Sequence, residues 1–478
     1  MTTYRPPAGS IPTLGVPDIS GVRRFHMVGI GGAGMSGLAR LLLARDVMVT
    51  GSDLKESPAL VQLRALGAEV RVGHDATNVA GADVVVLSTA IAPANVEVRE
   101  ARSRGIQVLA RAQLLAALMG EGRGIAVAGT HGKTTTTSML AAILEGSGLD
   151  PTYVIGGDLN ESGSNARSGG GEIFLAEADE SDGSFLLLRP EIAVVTNVED
   201  DHLDFYPGIP EIEAAFVEFC SRARVVIACA DDAGARRVAE ATDREVLWYG
   251  EADRSDVRVD RVRLGRAGGR CRLRLAESRG AVTTDVELGL PVPGKQYLLN
   301  AAAAVAVAVG LGVSPRDAAA ALRGYAGVRR RWEHRGTARG ATFVDDYAHH
   351  PTEIAATLAA ARAEDGGRVV AVFQPHRFTR TRSLWRGLGE SLMAADVVVV
   401  TDVYGAGEEA IPGVTGKLVV EALAEAAPGK RAVYLPKRPD VAPFLAREVR
   451  GGDLVLTLGA GDITMVGEEV MALIGDHR

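Results

Sequence analysis

The chain has 478 residues, which at about 150 residues per domain makes about three domains, each long enough to bury its own core. A formal net charge of −8 excludes a general electrostatic grip on a nucleic-acid polymer or an anionic membrane, so any phosphate must be held locally. Apolar residues at 47% and charged residues at 23% are average for soluble globular domains and exclude a disordered or fibrous chain.

Residues 1–20 contain Pro and Gly but no apolar core of a signal segment, and read as a flexible N-terminal tail. No uninterrupted apolar run reaches the roughly 18 residues of a spanning helix, so a cytoplasmic protein without a membrane partner is expected. Phe25–Ile30, Val47–Thr50 and Val84–Leu87 then read as strands separated by helix-length stretches, the pattern of βαβ units in a parallel sheet. Gly29-Ile-Gly31-Gly32-Ala33-Gly34 follows the first strand and opens a helix, and Asp53 follows the second. On pattern alone this predicts a dinucleotide-type cradle, with a pyrophosphate on the helix N-terminus and Asp53 accepting from a ribose hydroxyl. The nucleotide itself is left open.

Gly120-Glu-Gly-Arg-Gly124 marks a linker, and a boundary is placed near residue 121. A second βαβ series opens at Gly124–Ala128 and runs into Gly129-Thr130-His131-Gly132-Lys133-Thr134-Thr135. Val127 stands where the first Gly of a full Walker loop would be. The strand–loop–helix context nevertheless keeps the mechanism: backbone N–H groups and the helix dipole converge on one point that suits a triphosphate. Lys133 is expected to reach the β and γ phosphates, and the Thr134 hydroxyl to bind Mg²⁺.

Two acidic segments follow apolar strands: Glu177-Ala-Asp179-Glu180-Ser-Asp182, and Thr196-Asn-Val-Glu-Asp-Asp-His202-Leu-Asp204. Hard oxygen donors crowded at strand ends are what Mg²⁺ requires, and Glu177 and His202 are taken as the metal-side pair. Cys220, Cys229 and Cys271 are too few and scattered for a disulfide framework or a four-ligand zinc site, and read as buried small apolar residues. Period-two alternation in Val257–Leu264 and Cys271–Leu275, with Gly265, Gly268 and Gly269 between, predicts antiparallel hairpins. Helices are expected at Asn300–Gly310 and Pro315–Arg323, and a second boundary near residue 328.

The last part again alternates, with strands at Ala341–Val344, Val369–Phe373, Val397–Thr401 and Leu454–Leu458. Val344–Glu353 and Phe373–Arg382 each follow a strand and precede a helix, which puts both on one rim. Arg377 and Arg380 offer bidentate donors for a carboxylate, with Tyr347 and His349 completing a polar pocket. The expected architecture is α/β with three domains in series: Rossmann-like over 21–120, a P-loop ATPase-type α/β domain with antiparallel hairpins over 121–327, and Rossmann-like over 328–478.

Taken together and in order, Gly29–Ala39, Ala128–Thr135, Glu177–Phe185, Asp345-Asp-Tyr-Ala-His-His-Pro351 and Pro375-His-Arg-Phe-Thr-Arg380 resemble the Mur ligases. Within that family they look most like the members that add L-alanine to UDP-N-acetylmuramate. The resemblance implies an ATP- and Mg²⁺-dependent, amide-forming ligase of peptidoglycan precursor synthesis, working on these small molecules as a monomer or homodimer. It implies that Gly31, Gly32, Ala33, Gly34, Met35, Ser36, Ser52 and Asp53 serve the UDP-sugar, and that Gly129–Thr135, Asn300, Arg331, Asp346 and Tyr347 serve ATP. Thr134, Glu177 and His202 match metal-side positions. Tyr347, His349, Arg377 and Arg380 match positions around the amino acid, and Lys133, His202, Glu177 and Arg380 are the catalytic set.

The chain departs from the family at Gln296 and Tyr297, where His-Asn is usual. Ligases that add later stem-peptide residues use a carbamoylated lysine, yet no lysine stands between Lys133 and Lys295, which favours the first addition. The alternatives are a murein-peptide recycling ligase of the same family, a nicotinamide-dependent oxidoreductase suggested by Gly29–Gly34 with Asp53, and a P-loop regulator that joins no substrates.

Overall fold

A computed structural model describes residues 15–475 except 89, 93, 161–162, 203–204, 278–281 and 364–366. Most of the predicted tail and Asp204 therefore lie outside the described residues. The chain folds around three sheets in sequence order. The first has five strands, all parallel, with Arg24–Val28 in the middle between Met48–Asp53 and Val84–Leu87. Its second strand runs past the predicted end at Thr50, because pairing with Glu69–Val72 continues through Ser52 and Asp53.

The central sheet has ten strands. Arg123–Ala128 lies between Ile173–Glu177 and Ile192–Val195, all parallel, so the P-loop and both acidic segments leave the same sheet edge. Further out, Val257–Gly265, Gly268–Glu277 and Val282–Leu290 form the predicted antiparallel meander. The helix predicted from Asn300 starts earlier, at Lys295, after Gly294. Pro315–Ala321 is helical and Leu322–Gly324 closes as a 3₁₀ turn.

The third sheet has six strands. Ala341–Asp346, Leu454–Leu458, Val369–Phe373, Val397–Val400 and Arg431–Tyr434 are parallel in that order, and Glu333–Ala338 pairs antiparallel at the edge. These parallel strands are near-continuous runs of Val, Leu and Ala because helices cover both faces.

The cores divide unevenly. One continuous apolar cluster joins the first and central domains, from Phe25 and Met35 through Leu140 to Tyr325. The C-terminal domain has two clusters of its own, one on each side of its sheet. Trp332 packs at the edge of both the shared core and one C-terminal core. Contacts such as Arg380 with Asp201 and Thr352 with Glu199 make much of the rest of the C-terminal domain's contact with the central one polar, the kind of seam across which domains move. No described helix is long and apolar enough to cross a membrane.

Candidate active site

The P-loop owes its shape to two glycines. Gly129 has φ +135° and Gly132 φ +82°, conformations that cost an L side chain dearly. A Cβ on Gly129 would lie 1.9 Å from Thr196 Oγ1, and one on Gly132 would lie 2.7 Å from Asn300 Oδ1. Asn197 fixes the loop from the neighbouring strand end: its carbonyl accepts from Thr130 N–H at 3.0 Å and its side-chain oxygen from His131 N–H at 2.7 Å. The helix Lys133–Gly146 then points its free N–H groups into a cavity.

That cavity measures about 630 Å³ and all three domains line it. Ala33 comes from the first domain, Thr130–Thr134, Glu177 and His202 from the central one, and Arg331, Tyr347, His349 and Arg380 from the C-terminal one. A basin of about 830 Å³ beside the antiparallel hairpins, lined by Arg263, Arg270 and Arg323, lies apart from this chemistry.

The charged groups form an alternating chain across the cavity floor. Lys133 Nζ donates to both Glu180 oxygens, at 3.0 and 2.9 Å, and to the carbonyls of Gly129 and Thr130. Burial alone would pull its pKa down; Glu180, Asp179 and Glu177 outweigh that and hold it above the usual lysine value. His202 Nε2 lies 3.6 Å from Glu180 and 3.7 Å from Asp201. These carboxylates overcome burial and raise its pKa. Arg380 Nη2 then donates to Asp201 Oδ1 at 3.0 Å, joining residues 179 apart in sequence across the domain seam.

Glu177 is the opposite case: burial raises its pKa more than its neighbours lower it. Thr134 Oγ1 donates to it at 3.1 Å and Gly156 N–H at 2.6 Å. Such a buried carboxylate beside a hydroxyl, with Asp179 and His202 on the same wall, is a donor set that suits a small hard cation.

On the opposite rim, Arg330 and Arg331 each place the guanidinium carbon 5.0 Å from the centre of the Tyr347 ring. Burial, reinforced by Arg380, drops His349 to about 3, and burial with Arg380 and Arg377 drops His376 to about 4, so both rings are neutral at pH 7. His202, Arg330, Trp332 and Arg377 all have positive φ.

Not every candidate faces the cavity. Thr135 is buried in the domain, and Asn300 packs behind Gly132. The Asp346 carboxylate accepts from the N–H groups of Trp332 and Ala348, both at 2.9 Å, and burial raises its pKa to about 6. It braces the turn that presents Arg331 and Tyr347. Arg377 pairs with Glu408 at 2.7 Å and lines a smaller adjoining pocket with Arg380 and Asp201.

In the first domain Gly32 and Ala33 are exposed at the loop tip, and Gly34 abuts Arg111. Met35 and Ser36 are buried. The Asp53 carboxylate accepts from Gly31 N–H at 2.9 Å, and the Ser52 hydroxyl donates to buried Glu97 at 2.6 Å. The Asp53 side chain and the Ser52 carbonyl, which accepts from the N–H groups of Gly29 and Ile30, brace the loop from below, while the Ser52 hydroxyl is turned to Glu97 and His74. Tyr297, at the family departure, is packed in the core, and all three cysteines are free and buried.

Glu180, Asp201 and Glu353 stand in the segments already singled out, yet sequence alone assigns them no partner. Asn197 had no signal beyond its place at a strand end.

Fold and site together define a three-domain α/β enzyme of P-loop type that brings a nucleotide loop, an acidic wall and an arginine rim to one cavity. The comparisons are more specific. The description "Mur ligase family, catalytic domain" matches residues 24–123, "Mur ligase middle domain" 127–308, and "Mur ligase, glutamate ligase domain" 330–461. The chain belongs to the Mur ligase family, whose members are ATP-dependent ligases. It is 47% identical over 463 residues to a protein of Pelotomaculum thermopropionicum named UDP-N-acetylmuramate–L-alanine ligase, covering 95% of this chain and 98% of that one. The solved UDP-N-acetylmuramate-alanine ligase of Thermotoga maritima superposes with TM-score 0.78 at 29% identity, covering 94% and 98%. A murein peptide ligase from Psychrobacter arcticus shares the fold, with TM-score 0.69 at 24% identity over 95% and 99%.

Proposed function

We propose that this enzyme joins L-alanine to the lactyl carboxylate of UDP-N-acetylmuramate, with ATP converted to ADP and phosphate. The observation that carries this reading is the convergence of Lys133, Glu177, His202 and Arg380 on one cavity lined by three domains. The near-full-length relative named for that reaction supports it. The recycling-ligase alternative is not favoured, since its solved example at 24% identity speaks for the fold alone. The oxidoreductase alternative loses its basis, because the glycine fingerprint belongs to the first domain of a ligase family.

In this reading Lys133 leaves Glu180 to meet the β and γ phosphates, while the N–H groups at the start of Lys133–Gly146 hold the same charge. Thr134, Glu177 and His202 would hold Mg²⁺, which when bound offsets charge on the transferring phosphoryl group. The sugar carboxylate attacks the γ-phosphorus, giving an acyl phosphate and ADP. The amine of alanine then attacks the acyl carbon, and phosphate leaves. Arg380 and the polar edge formed by Tyr347 and the neutral His349 receive the amino acid's carboxylate, and Arg331 lies on the phosphate side of the same rim. The polar seam allows the C-terminal domain to close on the other two and exclude water.

The test measures phosphate release from ATP and Mg²⁺ with UDP-N-acetylmuramate, with and without L-alanine, followed by mass spectrometry. Release that needs both substrates and a product heavier by one alanine residue are expected. Alanine-independent turnover, or turnover only with a tripeptide, would reject the assignment.

A further inference from the structure

Outside the phosphate-side residues, His131, Glu199 and His350 bring three donor atoms within 4.8 Å of one another at the seam between the central and C-terminal domains. His131 Nε2 is 3.4 Å from Glu199 Oε2, and His350 Nδ1, which caps the following helix by accepting from Thr352 N–H at 3.4 Å and would exchange that long bond for the ion, is 3.7 Å from the same oxygen. Ligands about 2.0–2.1 Å from a tetrahedral ion sit roughly 3.3–3.4 Å from each other, so the His131–Glu199 edge already has that length, the His350–Glu199 edge needs to shorten by a few tenths of an ångström, and the two imidazole donors, within 4.8 Å of each other, draw together as the ion binds.

Two further features aim the donors. His131 Nε2 is buried without a satisfied hydrogen bond, while Nδ1 of the same ring lies 3.2 Å from Glu353 Oε1. Without an ion, burial would lower the ring's pKa, but Glu353 and Glu199 outweigh it and raise that pKa to about 9, so metal binding at Nε2 displaces a proton while Glu353 holds the ring at Nδ1, as an outer carboxylate does for a ligand imidazole. The Thr352 hydroxyl in turn donates to Glu199 Oε2 at 2.6 Å, fixing that carboxylate. The rings of His131 and His350 face each other with centroids 4.6 Å apart.

We propose that His131, Glu199 and His350 form a binding site for one divalent transition-metal ion of the zinc class, which clamps the P-loop to the C-terminal domain. Two imidazoles and one carboxylate suit Zn²⁺ or Co²⁺. The site is separate from the Thr134, Glu177 and His202 wall, and it spans two domains: His131 and Glu199 belong to one, His350 to the other. Its occupancy therefore ties domain closure to metal supply independently of which amino acid is ligated.

The experiment uses the full-length protein, stripped with EDTA and titrated calorimetrically with zinc sulfate in Mg²⁺-containing buffer. One equivalent binding tighter than about 10 µM is expected. Glu199→Gln and His350→Ala each weaken it at least about tenfold, and Glu353→Gln, which only loosens the outer support, by about tenfold. With Co²⁺ in place of zinc, the unmodified protein shows the visible absorption of four-coordinate cobalt, a readout that needs no variant and survives any that fails to fold. Absence of that band, or zinc binding equally tight in the folded variants, overturns the site and leaves the cluster as an ion-paired seam.

Discussion

Lys133 Nζ and Glu180 Oε2 lie 2.9 Å apart with side-chain exposures of 16% and 3%, so the phosphate-reaching lysine rests on a buried carboxylate. Breaking one side of such a pair leaves an uncompensated charge that costs about 3–5 kcal/mol. Lys133→Ala is therefore expected to lower thermal stability as well as abolish turnover, by roughly a thousandfold for a lost transition-state cation. Adding Glu180→Gln should recover most of the stability and none of the activity. Melting curves and ADP formation on the single and double variants check this, and near-normal turnover of Lys133→Ala would remove the phosphate role.

Arg380 pairs with Asp201 and also lines the cavity. Arg380→Ala should raise the KM for alanine by about 10–100-fold, the scale of a lost charge-assisted contact, and change the KM for ATP far less. Equal effects on both substrates would take Arg380 out of the amino-acid pocket and leave it as a domain clasp.

Gly129 cannot carry a side chain where it stands. Gly129→Ala combines φ +135° with a Cβ 1.9 Å from Thr196 Oγ1, and should destabilise the protein by about 3 kcal/mol and weaken ATP binding. Thr196→Ala in the same chain should relieve the clash but not the backbone strain. A double-mutant cycle by chemical denaturation separates the two, and full additivity would contradict the contact.

Glu97 is buried beside Ser52, His26 and Asn78. Burial raises its pKa, but His26, Ser52 and Asn78 outweigh that and lower it to about 2 from 4.5. The charged form is favoured by folding, so this contribution is complete above pH 4.5 and is lost as pH falls toward 2. It amounts to about 3 kcal/mol. Wild type should exceed Glu97→Gln in melting temperature at pH 7, with the gap closing between pH 4.5 and 2. A constant gap over that range would show that the carboxylate's charge is not what stabilises the fold there.

The sequence by itself determined the three α/β units, the hairpins of the central one, the loop around Lys133 and the family, because period and glycine placement are local and each motif adjoins its own strand end. Gly129 and Lys133 were legible in this way without any tertiary contact. The tertiary structure alone decided which charges meet. Ser52 and Asp346 carry the residue types of ligand contacts, yet their side chains are taken up by Glu97 and by the N–H groups of Trp332 and Ala348. Glu180, Asp201 and Glu353 gained partners only when strand ends and domains far apart in sequence were folded together. Pairing of charges depends on distances of a few ångströms across a domain seam, and residue spacing along a chain carries no record of them.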